Sequence, residues 1–257
     1  MSLPLRRTPD CQAPASLGFS LAAAALHEFY GGAEADSVSL AALALMLGAS
    51  RGKKAMLWVR HETLANETGA PYPAGLAELG FDPKLLLLVR ARDVSSALQA
   101  GLEGARCKAL GAAIINIRGE ARAYDLTASR RLALAAKTSG VPVFLLRSGA
   151  KATASAAETR WQVRALPSRA LAAKAPGNPA FHFTLLRARN GQEGAQHHLE
   201  WNRDAQRLED RFTDSGTGSG TRIDDGSGPP LSRPVVPVSL DRSRTVRDEH
   251  SQAQRAG

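Results

Sequence analysis

Cysteine is almost missing from this chain. Cys11 and Cys107 are the two in 257 residues, far apart and outside any Cys-x-x-Cys pair. That spacing argues against a disulfide framework or a cysteine-ligated zinc site. Aromatic residues make up only 5%, so a core built mainly from Leu, Ala and Val is expected. No apolar run approaches the ~20 residues that a membrane span requires. No secretory h-region is read near the start, where Leu5-Arg6-Arg7 runs into proline and polar residues. A soluble cytoplasmic protein without a membrane association is therefore expected. His27, His61, His182, His197, His198 and His250 show no metal-ligand spacing. Adjacent His197 and His198 in a strand would point to opposite faces, so no metal site is expected. A Gly-x-Ser-x-Gly nucleophile elbow is also missing.

What remains is apolar and basic. Hydrophobic residues reach 44%, enough for a sizeable core, and the formal net charge is +9 with a pI of about 10.1. From Thr213 onward six arginines meet six acids, so the excess sits in residues 1–212, with 27 basic and 18 acidic residues. A basic body suits nucleic acid, an acidic protein or an anionic surface. Solubility in an arginine-using organism is the plainer reading, and charge alone does not separate them.

Four regions follow from composition: an N-terminal arm at 1–19, a core at 20–167, a linker and β-hairpin packed on that core at 168–212, and a low-complexity disordered tail at 213–257. Within the core, strands are expected at 55–59, 85–89, 112–117 and 141–146 as continuous apolar runs. Such runs suit a parallel sheet buried on both faces. Helices are expected at 40–47, 76–79, 94–109 and 126–139. Asp93 is placed to cap the third and Gly140 to end the fourth. Residues 159–164 alternate in polarity, as an antiparallel edge strand would. Residues 181–187 and 197–201 flank Asn190-Gly191 and read as a hairpin with a long loop. Val235-Val236-Pro237-Val238-Ser239-Leu240 is an apolar island in the tail, read either as a partner-docking segment or as inert.

The element order at 28–47 sets the functional question. Glu28-Phe29-Tyr30-Gly31 ends an apolar stretch, a glycine turn follows, and then a helix. A phosphate-binding loop has that setting and reads G-x-x-x-x-G-K-[ST]. Counted from Gly31, the second glycine is Asp36, the lysine is Ser37 and the hydroxyl is Val38. Counted from Gly32, those places fall on Ser37, Val38 and Ser39. Neither frame supplies the lysine that reaches the β- and γ-phosphates. Glu34 and Asp36 oppose the attraction of the helix N-terminus for an anion. Gly31, Gly32, Asp36, Ser37 and Val38 thus read as a degenerate nucleotide loop, or as an ordinary strand-to-helix turn.

The order of elements resembles the RecA-like ATPase core. The run 28–31 is similar to the strand end before the RecA phosphate loop. The segment 53–62 is similar to the strand that ends near a catalytic glutamate, which would make Glu62 a relic acid. The alternative is a solvated loop carboxylate. The segment 112–118 resembles the strand that carries a magnesium-associated acid, and Asn116 stands near that position. Leu57-Trp58-Val59-Arg60, the run 72–80, the run 126–136, residues 148–161 and the final hairpin together resemble the ImuA family, the RecA-like inducible mutagenesis proteins of alphaproteobacteria. The likeness spans roughly residues 20–205.

That resemblance implies an α/β fold: a RecA-like parallel sheet flanked by helices, with a C-terminal antiparallel β-hairpin and a disordered tail. It also implies induction by DNA damage in the SOS response and translesion synthesis beside ImuB and an error-prone C-family DNA polymerase. Contact with RecA or single-stranded DNA is a further implication. With its loop degenerate, the protein is expected to be a non-catalytic accessory with no cofactor. The alternatives are a RecA-class ATP-dependent repair enzyme with an atypical loop, or a nonspecific single-strand-binding module. The resemblance places DNA contact after the third and fourth core strands, where Arg118, Arg122, Arg130, Arg131, Arg147 and Lys151 lie. Phosphate contact, acidic-protein contact and a solvated face all fit these residues. Tyr124 is the one nearby ring for stacking, so a base platform has little support.

Overall fold

The computed structural model of the protein describes residues 21–32, 36–50, 52–172 and 175–211. The expected arm at 1–19 and the tail at 213–257, with its apolar island, lie outside these residues. The chain begins with β1 (Leu26–Gly31), α1 (Asp36–Ala49), β2 (Met56–His61), α2 (Glu62–Thr68) and α3 (Pro73–Glu78). A 3-10 turn (Pro83–Leu85) leads to β3 (Leu86–Ala91), α4 (Val94–Arg106), β4 (Ala112–Arg118), α5 (Leu126–Ser139) and β5 (Val143–Ser148). The last strands are β6 (Thr159–Leu166), β7 (Ala180–Ala188), β8 (Gln196–Asn202) and β9 (Arg207–Asp210).

The strands join one sheet in the order β3-β2-β4-β5-β1-β6-β7-β8-β9. From β3 to β6 the pairing is parallel, and from β6 to β9 it is antiparallel. Two cores result. On one face α4 and α5 cover Leu57, Val59, Ile115, Ile117 and Leu145. On the other, α1 packs on Phe29, Ile114, Phe144 and Leu146.

Helix α1 is apolar nearly all round, with Leu40, Leu43, Ala44, Met46 and Leu47 all buried. Such a helix must be enclosed rather than laid on a surface. The sheet coils to do this. Trp201 and Leu208, from β8 and β9, belong to the same core as α1. The Trp201 ring stacks on Phe81 at 5.6 Å, and its N–H donates to the Leu79 carbonyl at 3.1 Å.

Local signals account for the sharpest boundaries. Asp93 and Asp125 accept from the backbone N–H of Ser96 and Ala128, capping α4 and α5. Gly140 closes α5 at φ +82°, a left-handed position that favours glycine. Helix α4 lies close on the sheet because Gly101 and Gly104 face it. A Cβ at either would come within 2.2 Å of Ile115 or Leu57 atoms.

Three expectations need correction. The run at 85–89 is the edge strand β3 rather than a buried one, with Leu87 53% and Leu88 39% exposed. Residues 159–164 belong to β6, which lies inside the sheet, parallel to β1 on one side and antiparallel to β7 on the other. Its alternation arises because Trp161 and Val163 enter the α1 core while Arg160 turns to the opposite face. The expected C-terminal hairpin is present as β7 and β8, joined to the sheet through β6 and followed by a further strand, β9. Helix α4 also ends at Arg106, earlier than the apolar spacing alone suggests.

Candidate functional site

Open α/β sheets bind ligands beyond the carboxyl ends of their parallel strands. The ends of β1, β2, β4 and β5 bring together most residues singled out above. Gly31 closes β1, and a Cβ there would lie 2.6 Å from the Asp36 Cβ. Glycine is needed at this point because the chain folds back on the start of α1. Ser37 is buried in the first turn of α1, whereas Val38 is 61% exposed and Gly32 is exposed. No lysine or arginine occurs anywhere in residues 31–39.

Glu62 opens α2 directly after β2. It is half exposed, and its carboxylate lies 3.9 Å from the Arg90 guanidinium. Asn116 is buried in β4, pairs with Arg60 across the β2–β4 ladder, and its Oδ1 has no hydrogen-bond partner among the described residues. A neutral amide thus stands near the place where the resemblance implies an acid.

A cavity of about 340 Å³ opens beside these groups, between α1, α3 and the ends of β2 and β4. Ala41, Ala42, Leu45 and Leu76 give it an aliphatic wall, while Ser37, Arg60 and Asn116 add polar groups. Arg60 is only 4% exposed. Its Nη1 donates to the Gly69 carbonyl at 2.7 Å, its Nη2 donates to the Thr68 hydroxyl, and its guanidinium lies 5.0 Å from the Trp58 ring centre. Burial, then the charge of Arg90, holds its pKa below the usual arginine value.

The opposite face of the same strands carries a buried polar network. Glu28 in β1 is fully buried. Its carboxylate pairs with Arg160 Nε at 3.1 Å and accepts from the Tyr30 hydroxyl at 3.0 Å. The Tyr124 hydroxyl donates to its other oxygen. A buried carboxylate is tolerable only when paired and hydrogen-bonded in this way. Burial, reinforced by the Glu28 charge, pushes both phenols well above the ordinary tyrosine value. The network is a structural tie between β1, β6 and the loop before α5. Glu28 was visible as a strand residue, but Arg160 and Tyr124 lie too far along the chain for spacing to pair them with it.

The basic residues divide into two groups. Arg147 is 1% exposed, its guanidinium 5.8 Å from the Tyr30 ring and 5.5 Å from the Tyr124 ring. It donates to the Gly119 carbonyl at 3.0 Å, so it is turned inward and is not presented to a partner. Tyr124 is likewise buried and offers no stacking face. Glu120 clasps the two loops together, accepting from the Lys151 backbone N–H at 2.9 Å and lying 3.9 Å from Arg147. Arg118 is half-buried and engaged with neighbours. Arg122, Arg130, Arg131 and the Lys151 side chain are exposed, with Arg130 and Arg131 on α5. Among the described residues no three His, Cys, Asp or Glu side chains gather as metal ligands.

No protein-family model matches the chain. The fold is similar to the crystal structure of the RadB recombinase, with a TM-score of 0.50 at 15% identity over 75% of this chain and 93% of that one. This likeness speaks to the RecA-like architecture alone. Two curated relatives, each named Protein ImuA, come from Caulobacter vibrioides strains NA1000/CB15N and ATCC 19089/CIP 103742/CB 15. Each is 32% identical over 188 residues, covering 65% of this chain and 71% of the relative. With that identity over most of the relatives' length, on a RecA-like sheet, this chain belongs to the ImuA family.

Proposed function

We propose that the protein is a non-catalytic RecA-like accessory of damage-induced mutagenic translesion DNA synthesis, acting in the cytoplasm with ImuB and an error-prone C-family DNA polymerase. The observation that carries the non-catalytic part is the turn at 31–39. It contains no cation and begins its helix with Asp36. A triphosphate in transit to hydrolysis develops charge on its terminal oxygens, and preorganised cations supply most of the stabilisation. Buried Asn116, in place of an acid near magnesium, agrees with this reading. Family membership supports the mutagenic role, and the ImuB and polymerase partners follow from the family resemblance. Among the described residues no helix is long and apolar enough to cross a membrane.

Two measurements test this. Pure full-length chain should leave ATP and magnesium unconsumed. Its deletion should lower damage-induced mutation, and a Ser37→Ala variant should restore that mutation fully. Turnover abolished by Ser37→Ala would instead identify a RecA-class ATPase. A binding affinity for single strands that falls steeply with salt, with a slope reduced by Arg122→Ala or Arg131→Ala, would favour a DNA-binding module.

A further inference from the structure

The cavity beside α1 holds more unmet polar demand than an apolar gap would. Trp58, Arg60 and Asn116 all line it, and each is at least 94% buried. Trp58 Nε1, Arg60 Nε and Asn116 Oδ1 have no hydrogen-bond partner among the described residues. The three share one face of two neighbouring strands: Trp58 and Arg60 are two apart on β2, and Asn116 is the register partner of Arg60 on β4. Buried polar atoms left unpaired cost free energy, so such a cluster marks a place where another group completes the bonding.

The chemistry of that group can be read from the cluster. Trp58 Nε1 and Arg60 Nε are donors, and Arg60 is a cation whose partners among the described residues are a carbonyl, a hydroxyl and a ring, none of them acidic. A carboxylate meets both donors and the charge. Asn116 Oδ1 requires a donor, which a peptide N–H supplies and a simple organic acid does not. The aliphatic wall of Ala41, Ala42 and Leu45 suits an apolar side chain and repels a polyphosphate. At the mouth, Val38 is 61% and Tyr72 73% exposed, two large apolar side chains that a cavity-sized ligand would leave in water. An occupant that continues as a chain beyond the cavity covers them.

We propose that this cavity is a docking site for a partner protein's peptide segment, which inserts one apolar anchor beside Ala42 and places an adjacent carboxylate on Arg60 and Trp58. The site rests on the reading that the protein works through partners, and it gives that reading a location. Its location beside the degenerate turn means that the end of the sheet associated with nucleotide binding in RecA-like proteins has been given over to protein contact.

The test uses the full chain and a displayed random dodecapeptide library as probe. Enriched peptides should carry a large apolar residue within one or two positions of Asp or Glu. A synthetic peptide of that consensus should shift the Trp58 indole N–H resonance, one of three tryptophan indoles in the protein. Ala42→Phe, which fills the cavity from α1, should weaken binding by about tenfold or more. Arg60→Met should do likewise, whereas Leu134→Ala, on the exposed side of α5 and outside the cavity, should bind normally. The proposal is overturned if enriched peptides bind Ala42→Phe as well as the parent. It is equally overturned if 4-phenylbutyrate alone matches the peptide in affinity, or if ATP with magnesium displaces it from the Trp58 resonance. Should no cavity-dependent peptide emerge from a chain that also leaves ATP intact, the docking site fails while the accessory role stands.

Discussion

At the scale of single residues, the strongest commitment in this molecule is Glu28. Its carboxylate is sealed from water and answered by Arg160, Tyr30 and Tyr124. Removing its charge strands Arg160 in a buried setting, the costly half of a broken pair. Glu28→Gln is therefore expected to lose about 3–5 kcal/mol in denaturant unfolding. Tyr124→Phe, which deletes one donor, should lose about 1–3 kcal/mol. A loss below about 0.5 kcal/mol for Glu28→Gln, the usual range for surface changes, would mean the network carries no structural weight.

None of this was legible beforehand. A glutamate in an apolar run reads as a strand end, and two of its three partners come 96 and 132 residues later. Residue type revealed that the turn at 31–39 carries no lysine, because that chemistry is local. Residue type also offered Arg147 as a surface contact, and burial by two tyrosine rings reversed it.

At the scale of elements, boundaries with local chemistry were readable and those set by neighbours were not. The limits of α5 follow from Asp125 and Gly140. The exposure of β3 does not follow from Leu86-Leu87-Leu88-Val89, since an apolar run cannot report that one flank lacks a strand. Helix α4 rests on the sheet through Gly101, where an added methyl would meet Ile115 at 2.2 Å. Gly101→Ala should cost about 1–3 kcal/mol by overpacking, despite its better helix propensity. A stabilised Gly101→Ala protein would show that α4 is not held so closely.

The C-terminal strands carry a pH response. His198 stacks on His182 at 4.5 Å, while His197 meets the Trp161 ring at 5.9 Å. Burial depresses both His197 and His198 from the ordinary value of 6.5, and His182 adds repulsion at His198. Below pH 6.5 the unfolded chain takes up protons that the folded chain resists, so stability falls as the medium acidifies. The melting temperature should drop below pH 6.5, and His198→Gln should flatten that slope. An unchanged slope in the variant would remove this pair from the acid response.

At the scale of the whole molecule, the sheet is one continuous object. Strands β6 to β9 extend it in antiparallel sense and coil over α1, whose apolar surface needs cover on every side. A fragment ending at residue 167 would lose Phe181, Phe183, Leu199, Trp201 and Leu208 from that core. It is expected to aggregate on expression, whereas a fragment covering 20–211 should stay soluble and melt cooperatively. A soluble, cooperatively folded 20–167 piece would show that the terminal strands are an independent addition. The parallel portion was foreseeable from its alternating βα units. The coil was not, because it depends on which surface of α1 the first five strands leave bare.

On the proposed reading, a RecA-like sheet whose turn at 31–39 carries no lysine or arginine should be indifferent to ATP. The most direct check is a melting curve of the full chain with and without millimolar ATP and magnesium, run beside a steady-state turnover assay. No change in melting and no phosphate release are expected. Stabilisation of ~2.7 kcal/mol, the value for a ligand at a hundred times its dissociation constant, together with turnover lost in Ser37→Ala, would contradict the non-catalytic reading.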